Sequence, residues 1–158
     1  MKVGGQPLLW HTVMKLKAAG YEHMVVNVHH FATQIVDYLK QNDNFGLDIR
    51  ISDESDKLLE TGGGIKKALP LFDRSKPILI HNVDILSNLD LTALDGSVTT
   101  LVVGPRQTKR YLLFDDDLYL RGWTNVETGE VKGEVTDADS YRKLAFSGIH
   151  VLHPSLLS

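Results

Sequence analysis

Apolar and polar positions along the chain fall into helical and strand periods. Leu8, Leu9, Thr12, Val13, Leu16 and Ala19 recur at roughly helical spacing, which puts an apolar stripe on one helix face. Pro7 is placed at the first position of this helix, where its missing N–H is harmless, and Gly20 as the C-terminal cap. His23 to His29 is a short, mostly apolar strand, and a second helix from about Ala32 to Gln41 buries Ile35, Val36 and Leu39. Asn42-Asp43-Asn44 ends that helix. Leu47 to Ile51 then alternates with period two, as a half-covered edge strand does.

The second half is richer in strands. Pro77 to Asn82 is a nearly unbroken apolar run, the pattern of a buried strand, and Leu86 to Leu94 is an apolar but turn-rich connection. Val98 to Val103 is another strand, ended by Gly104-Pro105. Tyr111 to Phe114 and Leu118 to Arg121 flank the turn Asp115-Asp116-Asp117 as an antiparallel hairpin. Asn125 to Ser140 is polar and is expected to form a loop or small outer ribbon. Lys143 to Leu152 is a last strand interrupted by Gly148, a mark of close approach by ligand or backbone. Alternating strand and helix followed by strands predicts an α/β fold, with a late antiparallel excursion. The expected architecture is a Rossmann-like three-layer α/β/α sandwich with a mixed, mostly parallel sheet, as a single domain over 1–158.

Composition narrows the function. The chain has 158 residues, 42% hydrophobic and 23% charged, which suits one domain with a sizeable core. A net charge of -3 argues against a nucleic-acid surface, which needs clustered Lys and Arg. No cysteine is present, so neither disulfides nor thiolate chemistry enter. No run approaches the length of a membrane span, and no signal pattern opens the chain, so the expected location is cytoplasmic.

Candidate chemistry gathers at Leu58-Leu59-Glu60-Thr61-Gly62-Gly63-Gly64 and at Asn82 and Asp84. Three glycines expose bare backbone, against which a nucleobase or ribose can lie and be read by N–H and C=O groups. Ile65 to Leu69 has the composition of a helix start, which would aim free N–H groups and a positive dipole end at the glycines. Asn82 and Asp84 end a buried strand, where open α/β sheets place ligand groups. Asp84 is read as a metal carboxylate. The loop Ser52 to Lys57, carrying Asp53, Glu54 and Asp56, is expected to rim the pocket. Plainer readings stand beside these: a flexible turn at the glycines, a cap at Asp84, a packing role for Gly148. The histidines show no compact zinc spacing, and the Asp115 to Asp117 turn is a solvated hairpin tip.

The motifs Leu58-Leu59-Glu60-Thr61-Gly62-Gly63-Gly64-Ile65, His81-Asn82-Val83-Asp84-Ile85 and Ala145-Phe146-Ser147-Gly148-Ile149-His150 resemble the sugar-1-phosphate nucleotidyltransferase family. They are most similar to its N-acetylmuramate-1-phosphate uridylyltransferase and mannose-1-phosphate guanylyltransferase-like branch. The resemblance implies transfer of a nucleotidyl group from a nucleoside triphosphate to a sugar 1-phosphate, with Mg2+, in nucleotide-sugar biosynthesis. It implies that Thr61, Gly62, Gly63, Gly64 and Asn82 bind nucleotide, that Ser147 and Gly148 lie near the sugar, and that Asp84 holds the metal as the catalytic aspartate. It also implies a member shortened at both ends, without the family's N-terminal arginine-bearing loop and a later aspartate. Weak or no turnover is therefore expected. The alternative is a non-catalytic domain that binds nucleotide or nucleotide-sugar or serves only in assembly. Loss of a first strand would expose sheet edges that a second copy could cover, giving a homo-oligomer.

Overall fold

A computed structural model of the chain describes residues 1–56, 59–94 and 96–157, with Glu60 described for its backbone alone. Lys57, the expected end of the acidic loop, and Leu58, the first residue of the glycine motif, lie outside the described residues. Strands β1 (Lys2–Val3) and β2 (Gln6–Pro7) form a small antiparallel ribbon. Helix α1 (Leu8–Ala18) follows, with Pro7 as its N-cap, one place before the expected first helical position. Gly20 then takes φ +90, the conformation in which glycine ends helices at no steric cost.

The next unit follows the apolar pattern closely. Strand β3 (His23–Val28), helix α2 (Ala32–Gln41) and strand β4 (Asp48–Asp53) make a βαβ unit. Its strands are parallel, with Met24 opposite Ile49 and Val26 opposite Ile51. Leu39 of α2 is almost wholly enclosed, as are Val13 of α1 and Val28 of β3. Burial of each such side chain stabilises the fold by about 1.5–3 kcal/mol.

Helix α3 (Glu60–Ala68) leads to strand β5 (Ile78–His81), after which strands dominate: β6 (Thr100–Gly104), β7 (Arg110–Phe114), β8 (Leu120–Asn125), β9 (Glu130–Gly133) and β10 (Arg142–Leu152). The hairpin expected after Tyr111 is β7–β8, and the expected outer ribbon is β9, paired to β8. Strand β10 is the spine of this sheet and pairs antiparallel with β5, β6 and β7.

The expected mostly parallel sheet is corrected here. Among the described residues, parallel pairing between named strands is confined to β3–β4, and the six-stranded sheet is antiparallel throughout. The reason lies in the pairing of β10. Among the described residues the connection from β5 to β6 carries a short 3-10 turn at Leu91–Ala93 and brings the chain back to run β6 in the direction of β5. Strand β10 then inserts between them, with His150 opposite Ile80 on one side and Leu101 on the other. Strands β5 and β6 therefore point the same way without touching. Nor does β5 pair with β3: a cavity of about 500 Å³ separates them, lined by Val25 and Val26 on one side and Leu79 and Ile80 on the other.

Candidate nucleotide site

The glycines lie inside α3, which begins at Glu60 with Leu59 as N-cap, so the expected bend followed by a helix from Ile65 is corrected. The unpaired N–H groups of the first turn accordingly belong to residues around 60–62 rather than to those after Gly64. The three glycines differ in surroundings. A Cβ on Gly62 would meet nothing within 4 Å, whereas one on Gly63 would stand 3.0 Å from Leu59 Cβ. On Gly64, which is buried, it would stand 2.5 Å from Glu54 Oε1 and 2.6 Å from Asn27 Nδ2. Gly64 is glycine because Glu54 occupies the space beside it.

Glu54 was placed by its sequence in a rim loop, yet it is only 1% exposed and lines the cavity. Its Oε1 accepts from Asn27 Nδ2 at 2.7 Å and its Oε2 accepts from the Leu59 N–H at 3.1 Å. Its backbone N–H donates to Val28 O at 2.7 Å, and its carbonyl accepts from His29 Nδ1 at 2.6 Å. Because a carbonyl only accepts, His29 carries its proton on Nδ1. The sequence signal was an acid directly after β4 and ahead of a glycine-rich helix, hidden among Asp53, Glu54 and Asp56. Asp53 instead turns to the surface, where the hydroxyl and amide of Ser55 hold its carboxyl below the usual carboxylate range.

Across the cavity, β5 ends at His81 and is followed by Asn82, Val83 and Asp84. The cavity lining joins Thr61 and Gly64 of α3 to Glu54, Asn82 and Val83, so three stretches of the chain meet in one concavity. Gly62 and Gly63 are not in its wall, and neither is Asp84, which follows Val83 and is exposed. Helix α1 is tied to the same strand end: Thr12 Oγ1 donates to Val83 O at 3.4 Å, and Lys15 Nζ to Ser87 O at 2.6 Å. His81 Nδ1 donates to Asn82 O at 2.7 Å, leaving Nε2 buried without a partner among the described residues. Burial holds the His81 pKa below its ordinary value, with a smaller push from the nearby Lys15 charge.

Ser147 and Gly148 lie on β10 and are not in the wall of this cavity. Gly148 has φ +79 and sits where the β10 register against β6 shifts, the geometry of a bulge. Its carbonyl accepts from the Asn82 N–H at 2.9 Å, and a Cβ there would lie 2.9 Å from Ile85 Cγ1 and 3.0 Å from Asn82 Nδ2. Packing therefore explains this glycine, and the packing partner is the candidate nucleotide residue Asn82. Among the described residues no three His, Asp or Glu side chains gather to hold a cation. A single carboxylate still suits magnesium, which takes its remaining ligands from phosphates and water.

No protein-family model matches the chain. An N-acetylmuramate alpha-1-phosphate uridylyltransferase from Neisseria meningitidis serogroup B is 32% identical over 165 residues, covering 99% of this chain and 66% of that protein. One of the same description from Caulobacter vibrioides is 43% identical over 86 residues, covering 53% of this chain and 35% of that protein. The chain thus spans about two thirds or less of the length of these relatives. A solved structure of HddC from Yersinia pseudotuberculosis complexed with GMP-PN shares the α/β fold, with a TM-score of 0.75, 19% identity and coverage of 99% of this chain and 67% of that one. A glycine helix and a polar strand end meeting at one cavity, in a chain matched along nearly its whole length, lead to one conclusion: it belongs to the sugar-1-phosphate nucleotidyltransferase family.

Proposed function

We propose that the chain binds a nucleoside triphosphate at the cavity between α3 and the end of β5 and contributes this site to nucleotidyl transfer onto a sugar 1-phosphate. The observation that carries the reading is the shared lining by Thr61, Gly64 and Asn82. In the reaction an oxygen of the sugar phosphate attacks the α-phosphorus in line. The bond from that phosphorus to its bridging oxygen breaks, and pyrophosphate leaves with the electron pair. The protein's share is alignment of two polyanions and stabilisation of developing charge. The first turn of α3 offers N–H donors to the base or ribose, and Asn82 offers an amide at the opposite wall. Asp84 would hold Mg2+, which when bound supplies charge neutralisation at the phosphates.

The relatives' description as uridylyltransferases makes a uridine nucleotide the first choice, and N-acetylmuramate 1-phosphate the first acceptor. Titration of the chain with UTP, with and without magnesium, tests the site, and pyrophosphate release on adding the sugar phosphate tests turnover. Saturable UTP binding is expected, with weak turnover or none. Absence of UTP binding at millimolar concentration refutes the reading. Among the described residues β3 and β5 each keep an unpaired edge, which supports association with a second copy, and sedimentation as a function of concentration would reveal it. No described helix is long and apolar enough to cross a membrane.

A further inference from the structure

We propose that Glu54 is a positioning residue whose carboxylate fixes the first turn of α3 against the end of β3, and thereby sets the affinity of the cavity for a nucleotide. The affinity part rests on the nucleotide reading above; the positioning part stands without it. Residue 54 is held on four sides. Asn27, Val28 and His29 are consecutive at the end of β3 and take its side chain, its N–H and its carbonyl respectively. The fourth partner, the Leu59 N–H, belongs to the N-cap of the glycine helix. One carboxylate thus spans from a strand end to a helix start.

An acid is a costly way to fill this space. Much of the wall around it is apolar, with Val25, Val26, Ile65 and Ala68 among its residues, and a buried carboxylate is tolerated only when its oxygens are hydrogen-bonded. Its use must lie in what those oxygens accept. The Leu59 amide has no partner within the helix, and among the described residues Glu54 supplies the acceptor that orients this end. Gly64 bears the imprint of the same arrangement, since a Cβ there would overlap Glu54 Oε1. Thr61, which lines the cavity, lies on the turn between these two contacts. Its position follows from where Glu54 holds residue 59 and abuts residue 64.

The test uses the full chain in four forms: wild type, Glu54→Ala, Glu54→Gln and Gly64→Ala, plus the Glu54→Ala/Gly64→Ala pair. Hydrogen exchange at the Leu59 amide is measured without nucleotide, and affinity is measured with UTP and magnesium. Glu54→Ala is expected to speed Leu59 exchange and weaken UTP binding by about tenfold or more, the worth of a charged hydrogen bond. Glu54→Gln keeps an acceptor for Leu59 and donates to Asn27 once that amide turns over, so binding stays within about threefold. Gly64→Ala lowers the unfolding midpoint in the wild-type background and lowers it by less on top of Glu54→Ala, where the Glu54 contact is gone and the Asn27 amide, freed from its acceptor, can move off the new Cβ. A general loss of stability would not produce that coupling or the rescue by glutamine.

Unchanged Leu59 exchange in Glu54→Ala overturns the positioning role, and equal UTP affinity in wild type and Glu54→Ala overturns its link to binding. If wild type binds no UTP, the nucleotide reading falls and with it the affinity clause, while exchange and the Gly64 coupling still decide the positioning role. Should Glu54→Ala not fold, Asn27→Asp replaces it by setting two carboxylates face to face. Faster Leu59 exchange, reversed by adding Glu54→Gln, is expected, and no change overturns the proposal.

Discussion

The carbonyl of Gly148 accepts the amide hydrogen of Asn82 at 2.9 Å, so a bulge on β10 and the polar end of β5 form one unit. Residue 148 stands at φ +79 with Asn82 Nδ2 only 3.0 Å from the place of a Cβ. Gly148→Ala should therefore destabilise the chain by about 1–3 kcal/mol, the usual cost of a non-glycine residue in that backbone region. It should also displace the Asn82 amide. Urea unfolding measures the first effect and a UTP titration the second.

Gly62 behaves oppositely. It lies within a helix, and a Cβ there meets nothing within 4 Å. Gly62→Ala should stabilise the fold by about 0.5–1 kcal/mol through helix propensity. If nucleotide lies against that bare face, the same change weakens UTP binding. A variant that is more stable and binds UTP as before would remove Gly62 from the ligand surface.

Asp84 is exposed, so Asp84→Asn should change stability by no more than about 0.5 kcal/mol. Its effect should be on the magnesium-dependent part of UTP affinity. Titrations with and without magnesium on the variant would converge if Asp84 holds the cation, and would differ as in wild type if it does not.

Two imidazoles, His150 buried and His81 half-buried, should lower stability on the acid side. His150 is 9% exposed, with its ring 5.4 Å from that of Phe146, and burial lowers its pKa. His81 is lowered for the same reason, opposed by its hydrogen bond to Asn82. In the unfolded chain both take a proton near the ordinary value of about 6.5, while the folded chain resists until lower pH. The unfolded state then binds more protons, so stability is full above that value and falls as the pH drops below it. Urea midpoints between about pH 7.5 and 5.5 should fall, and less steeply in His150→Leu.

The apolar periods placed α1, α2, β3, β4 and the β7–β8 hairpin because each is decided by neighbours in sequence. The pairing of β10 is not, since nothing near Ile149 says that β5 will lie on one side and β6 on the other. The glycines misled for a related reason. Three glycines disfavour a helix locally, but the packing of Gly64 against Glu54 and Asn27, which β3 brings to that spot, is a tertiary contact that outweighs propensity. Of the motif residues, Thr61, Gly64 and Asn82 meet at one cavity. Glu54 was missed because the turn of a single acid inward, away from two like neighbours, leaves no mark in composition.

The gap between β3 and β5 has a mechanical consequence. Since no backbone ladder among the described residues crosses it, the β3–β4 sheet and the six-stranded sheet are clasped by helices α1 and α3 and by side chains instead of being welded along a strand. A two-stranded sheet is marginal by itself. Under mild denaturant the amides of β3 and β4 should therefore lose protection as one early-opening group, while those of β10 and its partners stay closed until the whole chain gives way.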